Sequence, residues 1–295
     1  MEKLSITGFW LALAATAAAV IFYWGYVFGA RVALRRLATS PGGGITTATF
    51  ERLPVSLARL GGLAAWNAVF FIVLSLFARW RATGYAPWSN MWEFTVAFAG
   101  GVILFNIIFE REYGQKALGA FIQPVALAML AAAAAFFPSE VKPLVPALQS
   151  RGILAAHVGI MVLSYAALSV SFGAALMYIL QGGSRNRFSR LPRASLLDEI
   201  AYKSVIVGFP LLAVGIALGA YWGNSAWGRY WGWDPKETSA LVTWLIYGVY
   251  LHMRALRSWS GMRSAVMLVV GYGAVLFTYF AVNLWVSGLH SYAGV

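Results

Sequence analysis

The chain has 295 residues, of which 60% are hydrophobic and only 11% charged, against roughly 25% charged in an ordinary soluble domain, so a soluble globule is excluded. With no cysteine, disulfides, thiolate metal sites, iron-sulfur clusters and cysteine nucleophiles are excluded too. The net charge of +12 is first a matter of how cations are shared between loops, and only then a matter of partners.

A bilayer-spanning helix needs about 20 mostly apolar residues. Eight such runs follow one another, at 5–30, 60–78, 92–109, 117–137, 152–180, 204–222, 238–253 and 264–286. The expected fold is therefore all-α, a polytopic transmembrane helical bundle of about eight spans forming one integral membrane domain over residues 1–295. The first run stays apolar to Ala30, well beyond the 7–15-residue core of a signal peptide, and reads as an uncleaved span. The following Pro41-Gly42-Gly43-Gly44 lacks a Gly-Lys-Ser/Thr continuation and is a connection rather than a phosphate loop.

Orientation follows from the cations. The connections 31–59, 110–116, 181–203 and 254–263 carry 15 Lys and Arg, and the alternate set carries 7. Positive-inside bias puts the first set in the cytoplasm, and eight spans then leave both termini extracytoplasmic. The excess charge is a topology signal with contact to anionic lipid of the bilayer as a secondary reading, and no nucleic acid is needed to explain it.

Three histidines occupy two depths. His157 lies five residues into the fifth span and His290 five residues beyond Trp285, both near the outer surface. His252 lies 14 residues beyond Thr238, about 21 Å deeper at 1.5 Å per residue. Two imidazoles at one level suit the two axial positions of a haem iron, whereas a zinc site wants three or four ligands. His252 supplies a single axial position, leaving the other to a second chain, or else it binds a neighbouring carbonyl.

The outer connection 221–238 holds Trp222, Trp227, Trp231 and Trp233, with Tyr221 and Tyr230, in its first 13 residues. An interfacial aromatic belt accounts for part of this. The interleaved Gly223, Gly228 and Gly232 let a flat ligand approach the backbone, so the segment reads as a porphyrin platform. If helical, it places Trp227, Trp231 and Asp234 on one face. Asp234, Pro235 and Glu237 also form a capped helix start, so Asp234 has a structural reading beside the functional one. Arg229 and Lys236 are candidate propionate contacts, with Arg79, Arg81 and Arg151 near in topology.

At Trp227-Gly228-Arg229-Tyr230-Trp231-Gly232-Trp233-Asp234-Pro235-Lys236-Glu237-Thr238 the chain resembles the tryptophan-rich "WWD" signature of haem-handling proteins, in the form found in the CcsA (ResC) family of the System II cytochrome c synthase. His157 before the loop, His252 after it, and His290 within Gly288-Leu289-His290-Ser291 extend the resemblance. Ser89-Asn90-Met91-Trp92-Glu93-Phe94 is similar, more loosely, to an external motif of the same family.

The resemblance implies a multi-pass protein of the bacterial cytoplasmic (inner) membrane that moves haem b (protoporphyrin IX iron) outward. His252 would receive haem with a histidine of a CcsB (ResB)-type partner, and His157 and His290 would hold it at the tryptophan loop. It also implies thioether attachment to a Cys-x-x-Cys-His segment of apocytochrome c, as part of a holocytochrome c synthase (haem lyase). A thioredoxin-like reductant would keep those thiols reduced, since this chain has none. Competing readings are an exporter that loads a haem chaperone without forming thioethers, a membrane electron-transfer protein with two b haems, and a non-haem transporter.

Overall fold

In hydrocarbon every backbone N–H and C=O must be paired within its own segment, which leaves helices as the outcome for apolar runs of this length. The computed structural model describes residues 1–29, 47–141, 144, 148, 151–256, 259–286 and 288–289, with the backbone alone at 47–55 and 151. The segment 41–44 and His290 lie outside the described residues.

The helices are α1 (Glu2–Trp24, continued by a π-turn at Gly25–Gly29), α2 (Thr47–Thr83) and α3 (Met91–Tyr113). A single 3-10 turn then leads into α4 (Gly119–Phe136), followed by α5 (Arg151–Leu180) and α6 (Ala194–Trp227). Next come α7 (Pro235–Ala255) and α8 (Met262–Leu276), the latter running through a π-turn at Phe277–Ala281 into a last turn, Val282–Leu284. Among the described residues seven helical segments are long and apolar enough to cross a bilayer. The expected span 238–253 lies inside α7, whose 21 residues reach about 31 Å. Its Thr243, Tyr247 and Tyr250 make it less apolar than the rest, because they serve the interior and not the lipid.

Helix α3 is the most enclosed and packs against α2, α4 and α5. The tightest pairs are α5 with α6 and α1 with α2. Close approach of α5 and α6 depends on Gly208, where a Cβ would come within 2.8 Å of Leu168. There the Ser164 hydroxyl donates to the Gly208 carbonyl at 2.8 Å, the small-residue and hydroxyl packing usual between membrane helices. Phe70, Val73, Phe77 and Trp80 form an exposed apolar stripe on α2, which suits lipid.

Helix ends have visible causes. Asn90 caps α3 by accepting from the Glu93 amide, and Gly114, at φ +64°, ends it. Gly228, at φ +73°, ends α6, so the tryptophan segment is no single loop. Residues 221–227 complete α6, 228–234 are irregular, and 235–238 open α7. The one-face arrangement of Trp227, Trp231 and Asp234 considered for a helical segment is therefore not formed, because the helix stops at Gly228.

Candidate functional site

The ends of α5, α6, α7 and α8 that flank the tryptophan segment surround two narrow clefts, enclosing about 90 and 60 Å³, and His157 of α5 lines both. Its Nδ1 is 2.8 Å from the Gly215 carbonyl of α6. A carbonyl only accepts, so Nδ1 carries a proton, and in the neutral ring the lone pair is then on Nε2, the tautomer of a metal-ligating histidine oriented by a backbone carbonyl. The imidazole lies parallel to the Trp222 indole, with ring centroids 6.1 Å apart and planes at 11°. On the α6 side a Cβ at Gly219 would sit 2.6 Å from the ring, so the glycine makes room for it.

Lys236 reaches both clefts. Its ammonium donates to Asn283 Oδ1 at 2.6 Å, tying the start of α7 to the end of α8. Asn283 in turn donates to the Tyr279 carbonyl at 2.6 Å and to Met91 Sδ at 3.3 Å. Burial pushes the Lys236 ammonium down to about 8, with Asp234 pulling the other way. A cation held beside apolar walls and an oriented imidazole suits a ligand that is largely apolar, coordinates through a metal and carries carboxylates.

The four tryptophans divide into two edge-to-face pairs, Trp222 with Trp227 at 4.8 Å and Trp231 with Trp233 at 5.7 Å. Trp222 is buried beside His157, Trp231 lines the second cleft, and Trp233 is exposed. Trp233 has φ +57°, a left-handed backbone uncommon for a bulky residue and typical of over-determined functional segments. Two hydrogen bonds fix it from below: Glu237 Oε2 accepts from the Gly232 amide at 2.8 Å and from the Asp234 amide at 3.1 Å. Asp234 completes the capping box with its Oδ1 on the Lys236 amide at 3.0 Å. Its Oδ2 accepts from the Leu289 amide at 2.6 Å, which fastens the C-terminal segment to the same end of the bundle.

Arg229 is exposed and folds across Gly232, where a Cβ would lie 2.5 Å from its Nε. Arg79 is buried and committed elsewhere: its Nε donates to Glu93 Oε1 at 2.8 Å, another nitrogen reaches the Ser139 carbonyl, and the guanidinium covers Trp92 at 5.0 Å. It is thereby removed from the propionate candidates. Glu93 also accepts from the Ser89 amide and hydroxyl, each at 2.7 Å, so the 89–94 motif locks α3 to α2. Its last residue, Phe94, lines the first cleft. Arg81 is exposed, and the Arg151 side chain lies outside the described residues.

His252 stands apart. It lies 16 residues along α7 from Lys236, about 24 Å away, and is exposed. Beside it, Val242, Leu245 and Val249 are exposed at i−10, i−7 and i−3, forming one stripe. Gly215, Gly219, Asn283 and Tyr279 belong to the site but to none of the sequence motifs. Of these, Asn283 alone left a signal, as a carboxamide inside the last apolar run.

The family described as "Cytochrome C assembly protein" matches residues 88–290 of the chain. A "Cytochrome c biogenesis protein CcsA" of Synechococcus elongatus is 37% identical over 281 residues, covering 78% of this chain and 86% of that protein. One from Microcystis aeruginosa is 36% identical over 298 residues, covering 83% and 90%. Among solved structures, "Cytochrome c Heme Lyase CcmF" aligns with a TM-score of 0.64 at 18% identity, covering 95% of this chain and 46% of that one, which is a likeness of fold.

Proposed function

Since the chain belongs to the CcsA family of System II cytochrome c biogenesis proteins, we propose that it is the haem-handling membrane half of a cytochrome c synthase. In this reading it carries haem b across the bacterial inner membrane as cargo and presents it at the extracytoplasmic tryptophan end for attachment to apocytochrome c. The observation that carries the reading is His157. Its proton is held on Nδ1 by Gly215, and its ring stacks on Trp222 and faces clefts that also contain Lys236.

The residues fit a haem. His157 offers one axial nitrogen, His290 follows directly on the segment held by Asp234, and Lys236 offers a cation for a propionate. Haem supplies the vinyl groups to which two thiols of a Cys-x-x-Cys-His segment add. The chain's own part is positional: the carbonyl of Gly215 keeps the imidazole aimed, the indoles of Trp222 and Trp231 give flat apolar walls, and Trp233 stands at the open rim. Because the clefts are narrow, a macrocycle would rest at their mouth or part their walls.

At the other level, His252 is an imidazole exposed among apolar side chains, a costly arrangement against lipid. A helix of a CcsB-type membrane partner, laid along Val242, Leu245 and Val249, would cover it and complete an inner haem site. A thioredoxin-like protein would supply the thiol reduction that a cysteine-free chain lacks.

The test is the visible spectrum of the protein purified with its membrane partner. Low-spin haem with two imidazoles is expected, and its loss in His157→Ala together with a change to the inner haem alone in His252→Ala would separate the two sites. A haem-free complex that still matures cytochrome c would refute the reading.

A further inference from the structure

Asp234 stands in the middle of the tryptophan signature, and its carboxylate holds two backbone amides. It spends one oxygen on the Lys236 amide, capping α7, and the other on the Leu289 amide, 55 residues away in sequence. We propose that Asp234 is a positioning residue that clamps the Gly288-Leu289 segment, which leads in sequence to His290, to the head of α7.

Three observations carry this. The Leu289 contact, at 2.6 Å, is a short charge-assisted bond from an amide to a carboxylate. The segment also fits closely: a Cβ at Gly288 would lie 2.6 Å from Asp234 Oδ2 and 3.2 Å from the Pro235 ring. Finally, Lys236, two residues beyond the clamp, lines the same clefts as His157. His290 is the next residue after Leu289 in the sequence, so the clamp acts on the segment that leads into it.

The chemistry explains why this position is an aspartate. Two amides, from Lys236 and Leu289, each need an acceptor, and a short carboxylate offers both. An asparagine caps a helix as well as an aspartate does, but its second atom is an NH₂ donor and would confront the remaining N–H. Asp234→Asn therefore keeps α7 capped and releases the tail.

The consequence for haem rests on the reading of His157 and His290 as axial ligands; the clamp itself does not. The experiment compares wild type, Asp234→Asn and Gly288→Ala, each as the full chain purified with its membrane partner. Gly288→Ala keeps Asp234 as the capping residue and sets a Cβ against its Oδ2 and the Pro235 ring, which presses the tail away from the carboxylate. Amide hydrogen exchange by mass spectrometry is read on the C-terminal peptide and on the start of α7. In both variants exchange at Leu289 is expected to speed up at least tenfold while the first turn of α7 stays protected, and bound haem should shift from two imidazoles toward one. Unchanged protection of Leu289 in Asp234→Asn overturns the clamp. Faster exchange with an unchanged two-imidazole spectrum overturns its link to haem. A wild-type complex without haem counts against the haem reading only, and the exchange result still decides the clamp.

Discussion

The Nδ1 of His157 and the carbonyl oxygen of Gly215 lie 2.8 Å apart, joining α5 to α6 through a bond that also selects the histidine's tautomer. One turn further along α6, Gly219 leaves the space that the ring occupies. Alanine in place of a helical glycine ordinarily stabilises by about 1 kcal/mol. Here it would place a Cβ 2.6 Å from the imidazole. Gly219→Ala is expected to leave helix content unchanged by circular dichroism and to lower haem occupancy at least fivefold.

Lys236 gives a pH dependence with two opposite arms. Burial lowers its ammonium from 10.5 to about 8, so between those values the unfolded chain holds more protons than the folded one, and stability rises with pH across that window. Below about 8 the cost of the buried charge is fully present. If the ammonium holds a propionate, haem affinity falls over the same range as the charge is lost. Thermal scans and haem titrations from pH 7 to 10 should show both trends in wild type and neither in Lys236→Gln.

The buried pair Arg79 and Glu93 predicts a stability defect without a direct haem defect. Removing one partner of a buried, hydrogen-bonded ion pair costs about 3–5 kcal/mol, while replacing both by apolar residues is often near neutral. Glu93→Gln should lower the unfolding temperature in detergent, and Arg79→Met with Glu93→Leu together should restore only part of it, since Ser89 loses its acceptor and the Ser139 carbonyl its donor.

The stripe Val242, Leu245, Val249 and His252 on α7 predicts a helix-helix contact. Single cysteines at 245 and 249, in a chain that has none of its own, should form disulfides or bismaleimide links with cysteines on a membrane helix of the proposed CcsB-type partner. Cysteines at 73 and 77 on the lipid-facing stripe of α2 should not.

Much of the fold was legible because apolar runs of bilayer length have few other outcomes in hydrocarbon. Helix α7 was the least apolar of the expected spans since its Tyr247 and Tyr250 face the interior, which periodicity alone does not price. The spacing of Lys236 and His252 along α7 was readable from the 1.5 Å rise; the partners of His157 were not, since a backbone carbonyl and a missing Cβ carry no side-chain signal. Arg79 looked available as a cation because its partner Glu93 lies across a helix boundary, where charge counting does not see pairing. The capped start at Asp234 was visible as a spacing, but its second bond to Leu289 required the fold.

The most direct measurement co-expresses the chain and its membrane partner with a reporter apocytochrome carrying Cys-x-x-Cys-His, and stains for covalent haem on a denaturing gel. Covalent haem with wild type and none with His157→Ala is the expected result. Full covalent labelling with His157→Ala would contradict the assignment of this histidine to the outer haem site.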